Sequence, residues 1–316
     1  MSQQDTSNSQ QPQTAAKSRK VFDSQRGLAL LRLVLFAGRV LPRSILTRLA
    51  LQLFLTPGRK PIGAREAALR DSAQREVMVC RGREVATYKW GNSPRRVLLC
   101  HAWGGRGTTL GEFVPPLLAH GYSVIAFDAP AHGASPGTIS DMVEYVSTIG
   151  MLRDRYGSFD AAIGHSFGAG NLLWALRDYG LRAEKIVLIG CFVHGIWIIE
   201  AFGDALRLPK HIVRGMRDLL EKKYPGELVW ERLSMPDILK SVSAPVLVVH
   251  DRDDKVIPFS HALQLHGSAH GPSEVFATSG LGHRRVLGDR DVVRKVVEFI
   301  EGSAPVPYPV TQGGGT

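Results

Sequence analysis

A hydroxyl flanked by two glycines, Gly164-His165-Ser166-Phe167-Gly168, is the arrangement in this sequence best suited to nucleophilic chemistry. A serine hydroxyl is a poor nucleophile and needs a base to take its proton as it attacks. Of the eleven histidines, His283 in Ser279-Gly280-Leu281-Gly282-His283-Arg284 is best placed. It follows the last predicted strand, in a loop that opens at the same sheet edge as the turn carrying Ser166. His266 and His270 precede that strand and belong at the opposite edge, and His165, next to Ser166 on a sharp turn, points another way. The base in turn needs a carboxylate to hold its tautomer and to stabilise the imidazolium. The run Asp251-Arg252-Asp253-Asp254 offers three. Together these groups could carry out acyl transfer through a covalent intermediate.

The elements that must position them alternate. Val77–Val79 and Val85–Trp90, separated by Arg81-Gly82-Arg83, predict a β-hairpin. Arg96–Cys100, Ser123–Phe127, Ala161–Ile163, Ile186–Ile189, Pro245–His250 and Ser273–Ala277 read as further strands. Helical patterns fall at 110–120, 140–155, from Ser166 to about Tyr179, and at Val292–Glu301. Short apolar strands alternating with helices are the pattern of a parallel sheet covered on both faces. Ser166 sits where a predicted strand gives way to a predicted helix, the setting a nucleophile elbow requires. The flanking glycines follow from that setting, because side chains there would strike the neighbouring strand and helix. Between Phe192 and Ser243 the alternation lapses into helical patterns alone, which reads as a helical cap inserted late in the sheet.

The expected organisation is therefore a disordered tail over 1–20, a basic amphipathic helical extension over 21–75, a core over 76–191 and 244–302, the cap over 192–243, and a flexible tail over 303–316. The net charge of +10 is concentrated, since eight Lys/Arg and no Asp or Glu lie between Ser24 and Arg65. That segment lacks the aromatic interleaving of a nucleic-acid reader, so no nucleic-acid partner is expected. Its Leu-rich part over 28–55 is broken by four arginines and Pro42, short of the ~20 apolar residues that span a bilayer. It admits two readings: short helices broken at Leu41-Pro42 and packed on the core, or a basic amphipathic surface over 21–60 that lies on anionic membranes. Cys80, Cys100 and Cys191 form no CxxC pair, so neither a disulfide framework nor a metal site is indicated. A cytoplasmic location fits buried, reduced thiols, with the inner membrane surface as the alternative site of action.

At the acidic run the chain resembles the α/β-hydrolase fold family. His250-Asp251-Arg252-Asp253-Asp254-Lys255-Val256-Ile257-Pro258 is similar to that family's H-G-x-x-D-x-x-V-P. The alignment implies Asp254 as the triad acid, with Asp251 in the glycine position and Asp253 capping the turn. His101-Ala102-Trp103-Gly104-Gly105 resembles the H-G-x-G-G oxyanion turn, with Ala102 for a glycine. Carried over, the oxyanion donors are the backbone N–H groups of Trp103 and Phe167. Asp128-Ala129-Pro130-Ala131-His132-Gly133-Ala134-Ser135 resembles D-x-P-G-H-G-x-S, which implies supporting roles for Asp128 and His132. The resemblance covers roughly residues 76–301, and is greatest to bacterial members of uncertain substrate with a Leu/Arg-rich amino-terminal extension. It implies the α/β-hydrolase fold, a mostly parallel sheet with flanking helices, and the chain order Ser166, Asp254, His283.

The function so implied is hydrolysis of a small-molecule carboxylic ester or thioester, without metal or organic cofactor. An acyltransferase would use the same triad with another acceptor. An inert hydrolase fold that binds a membrane or a partner is the non-enzymatic alternative, disfavoured by a complete Ser/Asp/His set. Phe192, Ile196, Trp197, Ile198, Ile199 and Phe202 in the cap either line an acyl pocket or pack it.

Overall fold

A computed structural model of the protein describes residues 42–302; the expected tails over 1–20 and 303–316, and the first of the two amino-terminal helices, lie outside them. Eight strands form one sheet: β1 (Gln74–Cys80), β2 (Arg83–Trp90), β3 (Arg96–Cys100), β4 (Ser123–Asp128), β5 (Phe159–His165), β6 (Ala183–Ile189), β7 (Val246–Asp251) and β8 (Ser273–Thr278). Their order is β1-β2-β4-β3-β5-β6-β7-β8. β1 and β2 form an antiparallel hairpin, and β2 meets β4 antiparallel, while every other pairing is parallel. The mostly parallel sheet with flanking helices is the expected fold class.

The period of two in the strands divides the core. Leu98, Ile125, Ala162, Leu188 and Val248 face one side, which is covered by helices Met142–Tyr156 and Phe167–Asp178. Val97, Leu99, Ala126, Ile163, Val187 and Val249 face the other, covered by Val114–Ala119 and the terminal helix Arg290–Glu301. Strands buried on both faces need such apolar residues at every position, and β4 and β7 are buried throughout. The stretch read as a helix over 110–120 divides into a 3₁₀ segment, Gly107–Phe113, and the short helix Val114–Ala119. Leu110 breaks the regular turn at φ −92° and ψ 23°, and Pro115 and Pro116, which have no N–H, fall in the first turn of the helix that follows.

Between β6 and β7 come helices Gly195–Leu206, Lys210–Lys223 and Met235–Leu239, with Ile199, Ile212, Met216 and Leu220 buried in the first core. Asp141 ties this region to the core. It caps helix Met142–Tyr156 through the Glu144 N–H, and its other carboxylate oxygen accepts from Tyr224 Oη at 2.7 Å and Lys223 Nζ at 2.9 Å.

The amino-terminal helix Arg43–Phe54 lies against the same region. Leu46, Thr47 and Ala50 are its buried residues; Thr47 Cγ2 meets the bare backbone of Gly215, and Phe54 packs edge-on to Phe202 at 5.1 Å. The described part of the basic segment is therefore packed on protein, although Ile45 and Leu49 point to solvent. Several of its cations are engaged. Arg43 donates to the His211 carbonyl, Arg65 pairs with Glu112, and Arg59 donates to the carbonyls of Ala131, Ser135 and Gly137. Among the described residues no helix is long and apolar enough to cross a membrane.

Candidate active site

Ser166 occupies the turn between β5 and helix Phe167–Asp178 with φ +54° and ψ −114°, a left-handed backbone that a side-chain-bearing residue adopts only under strain. The turn is held by the Ser166 N–H donating to the Ile189 carbonyl at 2.8 Å. Its glycines are explained by close approach. A Cβ on Gly164 would lie 2.5 Å from Ala169 Cα, and one on Gly168 would lie 2.3 Å from the Cys100 carbonyl oxygen. The helix and β3 thus press on the turn from both sides and force the hydroxyl outward.

His283 reaches Ser166 from 117 residues away: its Nε2 lies 3.0 Å from Ser166 Oγ, and its Nδ1 lies 2.7 Å from Asp254 Oδ2. The other oxygen of Asp254 accepts the N–H groups of Val256 and Ile257 at 2.7 and 3.0 Å. Burial raises the pKa of this carboxyl, but the hydrogen bond from His283 and the Ile257 N–H outweigh it and hold the group below its ordinary value. Asp254 is therefore an oriented, ionised acceptor.

His283 lies not in an open loop but in a one-turn helix, Gly282–Arg285, after β8, and this segment has supports the sequence did not reveal. Asp251, at the end of β7, accepts from Thr278 Oγ1 at 2.7 Å and from the N–H groups of Leu281 and Asp253 at 3.0 Å. Asp253 accepts the Gly280 N–H at 2.7 Å. The two carboxylates sew the loop after β7 to the loop after β8; the visible sign was an acid standing where the family pattern has glycine. His165 is the second support. Its Nε2 donates to the His283 carbonyl at 2.9 Å, and the two rings lie 4.8 Å apart. Burial and the neighbouring His283 lower its pKa to about 3, so it is neutral. Gly190, at φ +55°, completes the floor: a Cβ there would meet the His283 ring at 3.3 Å.

Trp103 follows β3 and Phe167 opens its helix, and their rings meet edge-on at 5.0 Å. The Phe167 N–H is among the first four of a helix, which have no intrahelical carbonyl. The Trp103 N–H has no hydrogen-bond partner among the described residues. Only Arg81, Ala131, Ser166 and Arg207 among the described residues combine a side chain with a left-handed φ, so Ala102 sits in an ordinary conformation and needs no glycine. Gly104 and Gly105 turn the chain, the latter through its N–H to the Ala102 carbonyl at 2.9 Å.

Behind this turn, His101 is fully buried. Its Nδ1–H donates to the Ala102 carbonyl at 2.8 Å, its Nε2 accepts the Ala129 N–H at 3.1 Å, and burial lowers its pKa to about 4. Its own carbonyl accepts from Tyr145 Oη at 2.6 Å, a contact nothing in the sequence pattern signalled. Asp128 accepts the Gly107 and Ala134 N–H groups and Tyr88 Oη, each at 2.7 Å. His132 donates from Nδ1 to the Pro130 carbonyl at 2.9 Å and packs edge-on to Trp103, and burial lowers its pKa to about 3. Ala131 takes φ +63°, a conformation costing a side-chain residue about 1–2 kcal/mol. The Arg59 guanidinium on its carbonyl helps hold that turn.

Of the apolar cap residues, Phe192 and Ile199 are buried, and the Phe192 ring lies on Gly170. Ile196, Trp197, Ile198 and Phe202 pack partly exposed against the same core. A cleft of about 500 Å³ opens beside Trp103 and His165.

A family model described as "alpha/beta hydrolase fold" matches residues 95–222. The non-heme haloperoxidase of Rhodococcus erythropolis is 22% identical over 268 residues, which span 70% of this chain and 97% of that protein. Alpha/beta hydrolase domain-containing protein 17B of Xenopus laevis is 25% identical over 187 residues, 56% of each chain, so this chain spans only about half of that relative. Among solved structures, the esterase from Exiguobacterium antarcticum superposes with a TM-score of 0.55 at 18% identity, over 72% of this chain and all of that one.

Proposed function

This chain has the α/β-hydrolase fold, and from that premise we propose that it is a serine hydrolase cleaving a carboxylic ester or thioester through an acyl-enzyme. The observation that carries the proposal is the continuous line Asp254 Oδ2–His283 Nδ1 at 2.7 Å and His283 Nε2–Ser166 Oγ at 3.0 Å. Both lengths lie within the reach that proton transfer requires. His283 takes the Ser166 proton as Oγ attacks the carbonyl carbon, and Asp254 stabilises the imidazolium so formed. The carbonyl oxygen, now an anion, is received by the N–H groups of Trp103 and Phe167; one such donor contributes about 3–4 kcal/mol to the transition state. Collapse of the tetrahedral intermediate breaks the bond to the leaving group, which takes the proton from His283. Water, deprotonated by His283, then attacks the acyl-serine and releases the acid.

The fold likeness to an esterase supports the reading. In the same reading, 192–243 forms the cap over the acyl side, and the exposed Ile45 and Leu49 are what the described amino-terminal helix could offer a membrane. The test is labelling with a neutral fluorophosphonate: the adduct is expected on Ser166 and absent from Ser166→Ala. Folded protein that takes no label at Ser166 would sink the proposal. Asp254→Asn is expected to lower kcat by about 10³–10⁴-fold on p-nitrophenyl esters, since the amide stabilises the wrong tautomer of His283.

A further inference from the structure

The cleft beside the oxyanion turn has a charge pattern that the triad chemistry does not use. Its walls carry Lys60 from the amino-terminal arm, Arg106 after the oxyanion turn, and Arg284 and Arg285 directly after His283, against the carboxylates Glu66 and Glu112. The carboxylates are already engaged. Glu66 accepts from Thr108 Oγ1 at 2.7 Å and lies 3.5 Å from Arg106, and Glu112 pairs with Arg65 at 2.7 Å. Arg106 also donates to the Lys60 carbonyl, and Arg285 donates to the carbonyls of Leu281 and Gly280. The Lys60 ammonium and the Arg284 guanidinium have no hydrogen-bond or ion-pair partner among the described residues. Both are exposed residues lining the same cleft, and they are close enough to be felt: burial first, then Arg284 and Arg106, push the Lys60 pKa down.

Two unpaired like charges across one cleft repel until an anion sits between them. The cleft is also lined by Trp103, in the turn after β3, and by His165, the last residue of β5 and the chain neighbour of Ser166. We propose that Lys60 and Arg284 form a subsite for an oxyanion, carboxylate or phosphate, carried by the substrate, so that the preferred ester is an anionic one. The proposal rests on the acyl chemistry proposed for Ser166, whose chain neighbour His165 and proposed oxyanion donor Trp103 both line the cleft.

The experiment compares p-nitrophenyl butyrate with the mono-p-nitrophenyl ester of glutaric acid, on the full chain at low ionic strength. The anionic ester is expected to show a kcat/KM about tenfold higher, the size two partly solvated charge contacts can supply. The advantage is expected to shrink as salt is raised, and to vanish in Lys60→Ala/Arg284→Ala while butyrate turnover stays as in the parent. Calorimetric titration with glutarate and with inorganic phosphate separates the two sources: the oxyanion bound by the parent and lost in the double variant is the one recognised. Equal turnover of the two esters would overturn the subsite, as would a preference that survives in the double variant. Fluorophosphonate labelling keeps the two proposals apart. A labelled Ser166 without anion preference removes the subsite alone, whereas an unlabelled Ser166 removes the serine chemistry and leaves anion binding to decide the subsite.

Discussion

His165 shows how a residue beside the nucleophile can act without touching the reacting atoms. It is neutral, held so by burial and by the neighbouring His283, and its single hydrogen bond goes to the backbone of the residue that must meet Ser166. Its work is positioning. His165→Leu keeps an apolar side chain of similar reach but frees the His283 carbonyl, and kcat is expected to fall about tenfold with KM unchanged, as when geometry slips at a reacting pair. His165→Gln, which can return an N–H to the same carbonyl, is expected to recover most of the loss. A rise in KM at constant kcat would show that His165 holds substrate instead. The sequence placed Ser166 and His283 because their cues are local: a motif between strand and helix, and a histidine after the last strand. His165 carried no such cue, since its partner lies 118 residues on.

At the scale of elements, the loops after β7 and β8 behave as one unit because Asp251 joins them. Burial alone would raise its pKa; the Thr278 hydroxyl and the N–H groups of Gly282, Leu281 and Asp253 outweigh it, and the folded value lies below the ordinary one. A depressed folded pKa means that the contribution is fully present above the unfolded value of about 3.9, and is lost as pH falls through the folded value. The urea midpoint of the parent is therefore expected to exceed that of Asp251→Asn by a constant margin from neutral pH to about pH 5, and the margin to close in stronger acid. A margin that grows on acidification would contradict the assignment. The strands themselves were legible because burial on both faces leaves a run such as Val97–Cys100 apolar at each position. The Gly107–Phe113 segment was not, because a break at one residue, Leu110, leaves no mark in the apolar pattern around it.

Across the whole molecule, the amino-terminal helix is the part least readable from sequence. Its Leu and Arg residues suit a protein surface or a membrane surface, and what sequence could not show is the shape of the seat over 43–54: Thr47 on the bare backbone of Gly215, Phe54 on Phe202. Leu46 is 4% exposed in that contact. Leu46→Ala is expected to destabilise the protein by about 2–4 kcal/mol in urea unfolding, the usual cost of emptying a buried leucine site. A change below about 0.5 kcal/mol would mean that the helix is not docked in solution. The docking also has a consequence in time. Arg43 meets His211 across 168 residues, so a nascent chain leaving the ribosome amino terminus first carries the helix long before its seat exists. At about 5–20 residues per second the wait is roughly 10–30 s. Throughout it the apolar side of the helix waits for its seat on Lys210–Lys223, so its docking is a late step of folding.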